Sequence, residues 1–503
     1  MNNIAMLTSG TAALLHGRGH YLIEKTETAI MDFRSGQCHF SQMNIIQRIL
    51  LGSLLCLGTV EAETFRVGPG QAYANLQSVL NAENLEPGDI VEVDGGTLYD
   101  GGVTVDPSDG GAPGNPVLIR GNLNGGSMPH LRGGNNTLHN RASHITFESI
   151  EISGTGNTSS GTFRCFFHQG TGVTLRGVFI HDCPRQGILG ADQDSGSLTV
   201  EYSVVMNAGS GGRNHAIYMS TDQVAYPGSV FRLQYSHISD SQFNNNEIGG
   251  NLIKSRAERN EIYYNWLEGG FYHELELIGP DPGGVASGWT EGLAREDSDI
   301  VGNIIVHSAD FGSILRFGGD ATGQSFGRYR FVHNTVIRTN GGQATVFRLF
   351  DGLESLQADN NVFFNTGSSA FRMVREVEAI WLGGNTTITG SGNWIESGST
   401  FLPSGFSNTR QGGDPGFENI SALDLRPAAG SSLVDAAAAT QTPPGFDISS
   451  PLSVPVQHPP ADVIFGALQP TFTPIARPLN NVLDVGALER EVQGLIFTNG
   501  FEG

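Results

Sequence analysis

The chain has 503 residues, with 50 aspartates and glutamates against 28 lysines and arginines, for a formal net charge of −22. A field of that sign repels nucleic acid and anionic lipid surfaces, so neither is expected as a partner. Only 16% of the residues are charged while 69 are glycine, which suits many short strands joined by turns, and an all-β solenoid can use such a length as one unit.

Residues 1–42 carry no recognisable pattern and read as a non-native or disordered leader. Met43-Asn44-Ile45-Ile46-Gln47-Arg48 then makes a short basic start, followed by an apolar run from Ile49 to Val60 and the sequence Val60-Glu61-Ala62. This is the layout of a signal peptide over 43–62, cleaved after Ala62. The run is too short for a permanent membrane span. A secreted or periplasmic bacterial protein is therefore expected, monomeric and free of membrane. In that oxidising setting Cys165 and Cys183 either pair, being a little under one coil apart, or lie as two small buried thiols.

From Ala72 to Ala82, Tyr73, Leu76, Val79 and Leu80 fall on one helical face, which predicts a short helix covering the open edge of the first coil. Beyond about residue 117 the chain alternates short apolar strands with polar turns. Asn265, Asn303, Asn334, Asn361 and Asn385 each precede a strand, at successive spacings of 38, 31, 27 and 24 residues. A fixed coil with variable loops drifts in this way, and asparagine suits the turn because its side chain bonds along a ladder and its backbone tolerates the left-handed region. These features predict a β-solenoid over 63–440. Residues 441–490 are expected to form a proline-rich arm packed on it, and 491–503 a tail with no reading.

Pro87-Gly88-Asp89 with Gly95-Gly96-Thr97-Leu98-Tyr99 resembles the opening of many bacterial right-handed parallel β-helix proteins. Asp414-Pro415-Gly416-Phe417, Asp424-Leu425-Arg426-Pro427-Ala428-Ala429-Gly430-Ser431 and Asp484-Val485-Gly486-Ala487-Leu488-Glu489 resemble their closing segments. The resemblance implies a right-handed parallel β-helix with a capping helix and an extended C-terminal arm.

Alternation along the central strands gives a register. Ile217 and Met219 point inward and leave Tyr218 outside; Ile253 and Ser255 leave Lys254 and Arg256 outside; Leu275 and Leu277 leave Glu274 and Glu276 outside. Arg316, Arg348 and Arg372 are outward by the same rule. Stacked about 4.8 Å apart, Tyr218, Lys254, Glu276, Arg316, Arg348 and Arg372 form a column. Cations this close on an acidic protein make sense beneath an anionic chain, so an acidic polysaccharide is the expected partner.

The Lys254-Ser255-Arg256-Ala257 run resembles one that recurs in bacterial β-helix proteins regarded as polysaccharide-lyase-like. β-Elimination at a uronic acid needs a carboxylate neutraliser, a base for the C5 proton and an acid for the leaving oxygen. Arg256 or Arg316 fits the first need, Lys254 with a pKa lowered by adjacent cations the second, Tyr218 the third, and His215 either proton role. His273 and Trp289 are further substrate-binding candidates; Trp266 reads as core, and Trp289, in the long loop between Gly279 and Asp297, as the better sugar platform. Glu274 and Glu276, with Asp240 or Glu247, form a candidate Ca²⁺ set; no other cofactor is indicated. Two other functions remain open. One is a glycoside hydrolase or epimerase, with Glu274 and Glu276 as the hydrolase's acid and base. The other is a non-catalytic carbohydrate-binding surface protein. The Asn-Thr-Asp, Asp-Asp and Gly-His-Gly runs of polygalacturonase-like hydrolases and the Asp-Pro-His-Asp run of alginate epimerases are missing.

Overall fold

The computed structural model describes residues 6–7, 29–32 and 37–40, and then 62–490 apart from 124–125, 155–163, 244–247, 291–295, 321–322, 351–352, 368, 378–386, 461–471 and 479–481. It divides into two compact units, 1–61 and 62–503. In the first unit Met6–Leu7, Ala29–Asp32 and Gln37–Phe40 make a small antiparallel sheet. The expected signal segment, apart from Ala62, and the tail 491–503 lie outside the described residues.

The second unit is a right-handed parallel β-helix. The chain visits three sheets in turn, and among the described residues these hold ten, twelve and thirteen strands. Pairing is parallel throughout, as where Ile217–Ser220 pairs with Ile253–Arg256, that strand with Leu275–Ile278, and that in turn with Ser313–Gly318. Crossovers between parallel strands run right-handed because the strand twist feeds them that way. The alternation expected from the sequence produces the core. Ile188, Ile217, Ile253, Leu275, Leu315 and Phe347 stack one per coil in the ten-stranded sheet, all fully buried.

The helix spans Leu76–Ala82 and buries Leu76, Val79 and Leu80. It starts later than Ala72 because Asn75 caps it: the Asn75 side chain accepts from Ser78 N–H, and Ser78 Oγ accepts from Asn75 N–H. Tyr73 is left outside the helix, bridging Val67. Gln77 Oε1 accepts the Thr104 N–H at 2.8 Å, which satisfies a donor on the first strand of the ten-stranded sheet, Val103–Val105. The helix thereby blunts an edge that would otherwise recruit another strand.

A polar ladder runs along one turn of the solenoid. Val178 N–H donates to Ser203 Oγ, Ser203 N–H to Ser236 Oγ, and Ser236 N–H to Asn265 Oδ1. From there Asn265, Asn303, Asn334, Asn361 and Asn393 pass the pattern on, each backbone N–H donating to the next amide oxygen at 2.8–2.9 Å. Two details of the sequence reading change. The last rung is Asn393, whereas Asn385 lies outside the described residues. The left-handed residue is the one before each rung, as in Tyr264, His333 and Asn360 with φ of 55°, 52° and 56°. The ladder asparagine supplies the side chain and its predecessor the bend.

Cys165 and Cys183 form a disulfide across 18 residues. A closed loop of that length stabilises by restricting the unfolded chain, by about 3 kcal/mol. The Cys165→Ala/Cys183→Ala double variant should lose that much in a urea titration; an unchanged midpoint would show that the crosslink contributes nothing.

The segment after residue 440 lies along the coils. Arg330 donates to the carbonyls of Gln441 and Leu452, while Asp297 and Asp299 accept the backbone N–H groups of Asp447 and Leu452. Further on, Gly486 N–H donates to the Asn360 carbonyl and Ala487 N–H to Thr335 Oγ1. Buried Arg328–Asp297 and Arg330–Asp299 pairs anchor this seam.

Candidate functional site

On the outer face of the ten-stranded sheet the register places Leu189, Tyr218, Lys254, Glu276, Arg316 and Arg348 in one column. The column continues to Arg375 and not to Arg372, because Thr345 pairs with Arg372 and Arg348 with Arg375. Met373 and Val374 are both buried, so alternation breaks there and the outward position passes on. Arg372 instead lies over the Phe401 ring at 4.0 Å.

Lys254, Arg256 and Arg316 each have a carboxylate partner. Asp320, on the turn bridged by Gly319 and Gln324 just after the Arg316 strand, reaches back to Lys254 and Arg256. Its Oδ2 lies 3.1 Å from Lys254 Nζ and 2.6 Å from Arg256 Nη2. Glu276 receives Arg316 at 2.9 Å, Lys254 at 3.8 Å and the Asn251 amide. The nearest charges around Lys254 are thus carboxylates, in place of the crowded cations expected from the sequence.

Arg256 is only 2% exposed. Its Nε donates to Tyr218 Oη at 3.1 Å, and its other nitrogens to the Gly279 carbonyl and Asp320. Its guanidinium is therefore turned to Tyr218, Asp320 and the Gly279 carbonyl and not outward with Lys254 as expected from the sequence. Burial, partly countered by Arg256, pushes the Tyr218 phenol up to about 12. Because Arg256 occupies an oxygen lone pair, the phenolic proton is left to point elsewhere.

Burial, then Lys254 and Arg256, hold the His215 imidazole well below its ordinary value, so it is neutral. Its Nδ1 accepts the Asn251 N–H at 2.9 Å. That bond fixes the tautomer with the proton on Nε2, so His215 is a donor and not the base considered from the sequence. Its ring stands edge-on to Tyr218, with centroids 5.5 Å apart. His273 is likewise neutral through burial and the nearby arginines, and only 3% exposed. It buttresses Asn251 through Nδ1, 3.1 Å from Oδ1.

Glu274 and Glu276 do not converge. Glu274 is fully buried, accepts the Gly270 N–H and lies 3.0 Å from His307 Nδ1, whereas Glu276 faces Arg316, Lys254 and Asn251. Burial raises the Glu274 carboxyl. The pair therefore forms neither a Ca²⁺ set nor a hydrolytic acid and base, and Glu247 lies outside the described residues. Trp266 is core, packed with Ile304, Ile337 and Leu425. Trp289 is half-buried, its indole N–H on Gln223 Oε1 at 3.0 Å. Gln193 Nε2 donates to the Gly284 carbonyl in the same loop, which draws the loop towards the coils before Tyr218.

Arg316 and Arg348 share one aromatic support, their guanidinium carbons 4.2 and 5.0 Å from the Phe350 centroid. Burial, then Arg316 and Arg375, lower the Arg348 pKa, with Glu276 opposing them. Asp192, raised by burial, and Glu296, raised far more strongly, lie close enough to sense the Arg256 charge. Glu296 is fully buried, and neither of its oxygens has a hydrogen-bond partner among the described residues. Asp320, Asn251, Phe350 and Glu296 were not singled out as site residues from the sequence; only the outward position of the column was visible there.

The chain matches no protein-family model and no curated protein. Among solved structures it is similar to an alginate lyase from Paenibacillus sp. str. FPU-7, at 15% identity over 62% of this chain and 99% of that one, with a TM-score of 0.41. It is also similar to the pectate lyase Pel9A, at 12% identity over 85% and 96%, with a TM-score of 0.41. A mannuronic-acid-specific polysaccharide family 6 lyase from the human gut microbiota gives 10% identity over 70% and 82%, with a TM-score of 0.36. Likeness at this level says nothing of chemistry, which has to be argued from the side chains.

Proposed function

We propose that this chain is a secreted, monomeric polysaccharide lyase that cleaves a uronate-containing acidic polysaccharide by β-elimination. The observation that carries the reading is the column itself: a protonated phenol, an ammonium and two guanidinium groups stand on one outer face, one residue per coil. An anionic chain laid along the column meets Arg316 and Arg348, which neutralise uronate carboxylates and acidify the C5 proton. Lys254, once it has released its own proton to solvent, removes the C5 proton through its Nζ lone pair, and Asp320 at 3.1 Å holds the side chain in position. The electron pair forms the C4–C5 double bond, the C4–O bond breaks, and Tyr218 protonates the departing oxygen. Arg256, His215 and Asn251 hold these groups in place.

The test is ultraviolet absorbance with alginate, pectate, hyaluronan, chondroitin and glucuronan, each with and without chelator. A rise marks the unsaturated product and supports elimination. New reducing ends without a rise would move the reading to hydrolysis, and binding without either to a carbohydrate-binding protein. The pH profile is a second check. A general acid must keep its proton, so activity is lost as pH rises through its pKa. With Tyr218 pushed up to about 12 from 10.0, the alkaline limb should stay flat past pH 10; a fall centred on that pH would remove Tyr218 from the role.

A further inference from the structure

The twelve-stranded sheet carries a second cluster on its outer face, distinct from the column. His130–Arg132, Glu151–Ser153 and Phe179–Cys183 are successive strands of that sheet, with Glu151 in register with His130 and Ser153 with His181. Glu151 Oε1 lies between the two imidazoles, 3.2 Å from His130 Nδ1 and 3.0 Å from His181 Nε2. The three ligand atoms all lie within 4.8 Å of one another, the one such group among the described residues.

The remaining ring nitrogens are already engaged. His181 Nδ1 is 2.9 Å from Asp182 Oδ2, and the other Asp182 oxygen accepts the Asn207 amide. A carboxylate there requires a proton on Nδ1, and Nε2 is the nitrogen that faces Glu151, able to donate to it when protonated or to ligate a metal when not. His130 Nε2 is 2.7 Å from Ser153 Oγ, which leaves Nδ1 facing the same oxygen. The His181 ring is further fixed by stacking on Phe179, with centroids 4.1 Å apart. Protons on these nitrogens can bridge them to Glu151, and a divalent ion taking the place of those protons would receive two imidazole lone pairs and a carboxylate oxygen at one point. The two imidazole–carboxylate separations, 3.2 and 3.0 Å, are close to what a metal imposes. Bonds of about 2.0–2.1 Å at tetrahedral angles set ligands roughly 3.3 Å apart.

We propose that His130, Glu151 and His181 bind one divalent transition ion of the zinc type. Two imidazoles and one carboxylate are the donors such an ion takes, whereas Ca²⁺ and Mg²⁺ prefer oxygen alone. The side chains keep 16%, 26% and 14% of their exposure, so a water can complete the set. Asp182 and Ser153 orient the imidazoles from behind. The ion joins three consecutive coils, beside the disulfide at Cys183, and holds whether or not the chain is a lyase.

The probe is Co²⁺, added to untagged, chelator-treated protein and followed by visible absorption and thermal unfolding. One Co²⁺ per chain with the intense visible bands of four-coordinate cobalt, displaced by Zn²⁺ and accompanied by a raised melting temperature, is the expected result. His181→Gln should abolish the bands, and Asp182→Asn should weaken binding by about 10–100-fold. If His181→Gln does not fold, Glu151→Gln, of nearly the same shape, takes its place. Absent bands, a response to Ca²⁺ but not to Co²⁺, or bands that survive these substitutions would overturn the proposal.

Discussion

Lys254→Ala is expected to lower turnover by about 10²–10⁴-fold, the usual range for removing a general base, while the protein stays folded and still binds polymer. Folding should survive because neither carboxylate is stranded: Asp320 keeps Arg256 and Glu276 keeps Arg316 and Asn251. Lys254→Arg separates the two ways an ammonium can serve. A guanidinium restores the positive charge but cannot accept a proton at working pH, so it should not rescue a base. If Lys254→Arg restores the rate, Lys254 neutralises charge and the proton acceptor lies elsewhere. If Lys254→Ala eliminates as fast as the native protein, the column is not the reaction site. Arg256→Ala should behave differently, losing stability together with turnover, since it removes one partner each from Tyr218, Asp320 and the Gly279 carbonyl at once.

The contrast between Lys254 and its surroundings shows what was legible in the sequence. Alternation has a period of two, and coils stack in register, so Ile217, Ile253, Leu275 and Leu315 announce the core and Tyr218, Lys254 and Arg316 the outer face between them. That logic is local to each strand and holds while the strand is regular. It fails at Met373 and Val374, where two successive residues are buried and Arg375 replaces Arg372 in the column. It is silent on Asp320, which comes from a turn 66 residues beyond Lys254 and whose approach no strand pattern encodes. It also misplaces Glu274, which precedes its strand and turns to His307 instead of outward. The His130, Glu151 and His181 cluster was invisible for a related reason. Its members sit on three separate coils, and metal-ligand spacing within one segment is the only form of such a site that a sequence shows directly.

The asparagine ladder was legible as a repeat, and its energetic weight follows from the geometry. Asn334 Oδ1 accepts from the backbone and the side chain of Asn303, both at 2.9 Å, while its Nδ2 donates to the carbonyls of Ile300 and Val332 and to Asn361 Oδ1. All of this lies where no water reaches, since Asn303, Asn334 and Asn361 are fully buried. Asn334→Ala strands the Asn303 donors and the Ile300 carbonyl. At 1–3 kcal/mol for each unsatisfied buried group the loss should be about 4 kcal/mol, or roughly 4 °C in melting temperature for a unit of this size. Asn334→Ser should fall between the two. Ser203 and Ser236 fill the same rung in earlier coils, accept the same backbone N–H and donate to the carbonyl two residues before, so serine keeps those bonds and loses the donation to the Ile300 carbonyl and Asn361 Oδ1. Asn340, whose exposed amide bonds Asp310 at the surface, serves as the control, and its alanine variant should change stability by less than about 0.5 kcal/mol. The order native, serine, alanine, with Asn340→Ala at the native value, would establish the ladder as a chain of buried hydrogen bonds. Equal effects at Asn334 and Asn340 would reduce it to a turn preference, because water would then be satisfying what the structure shows as sealed.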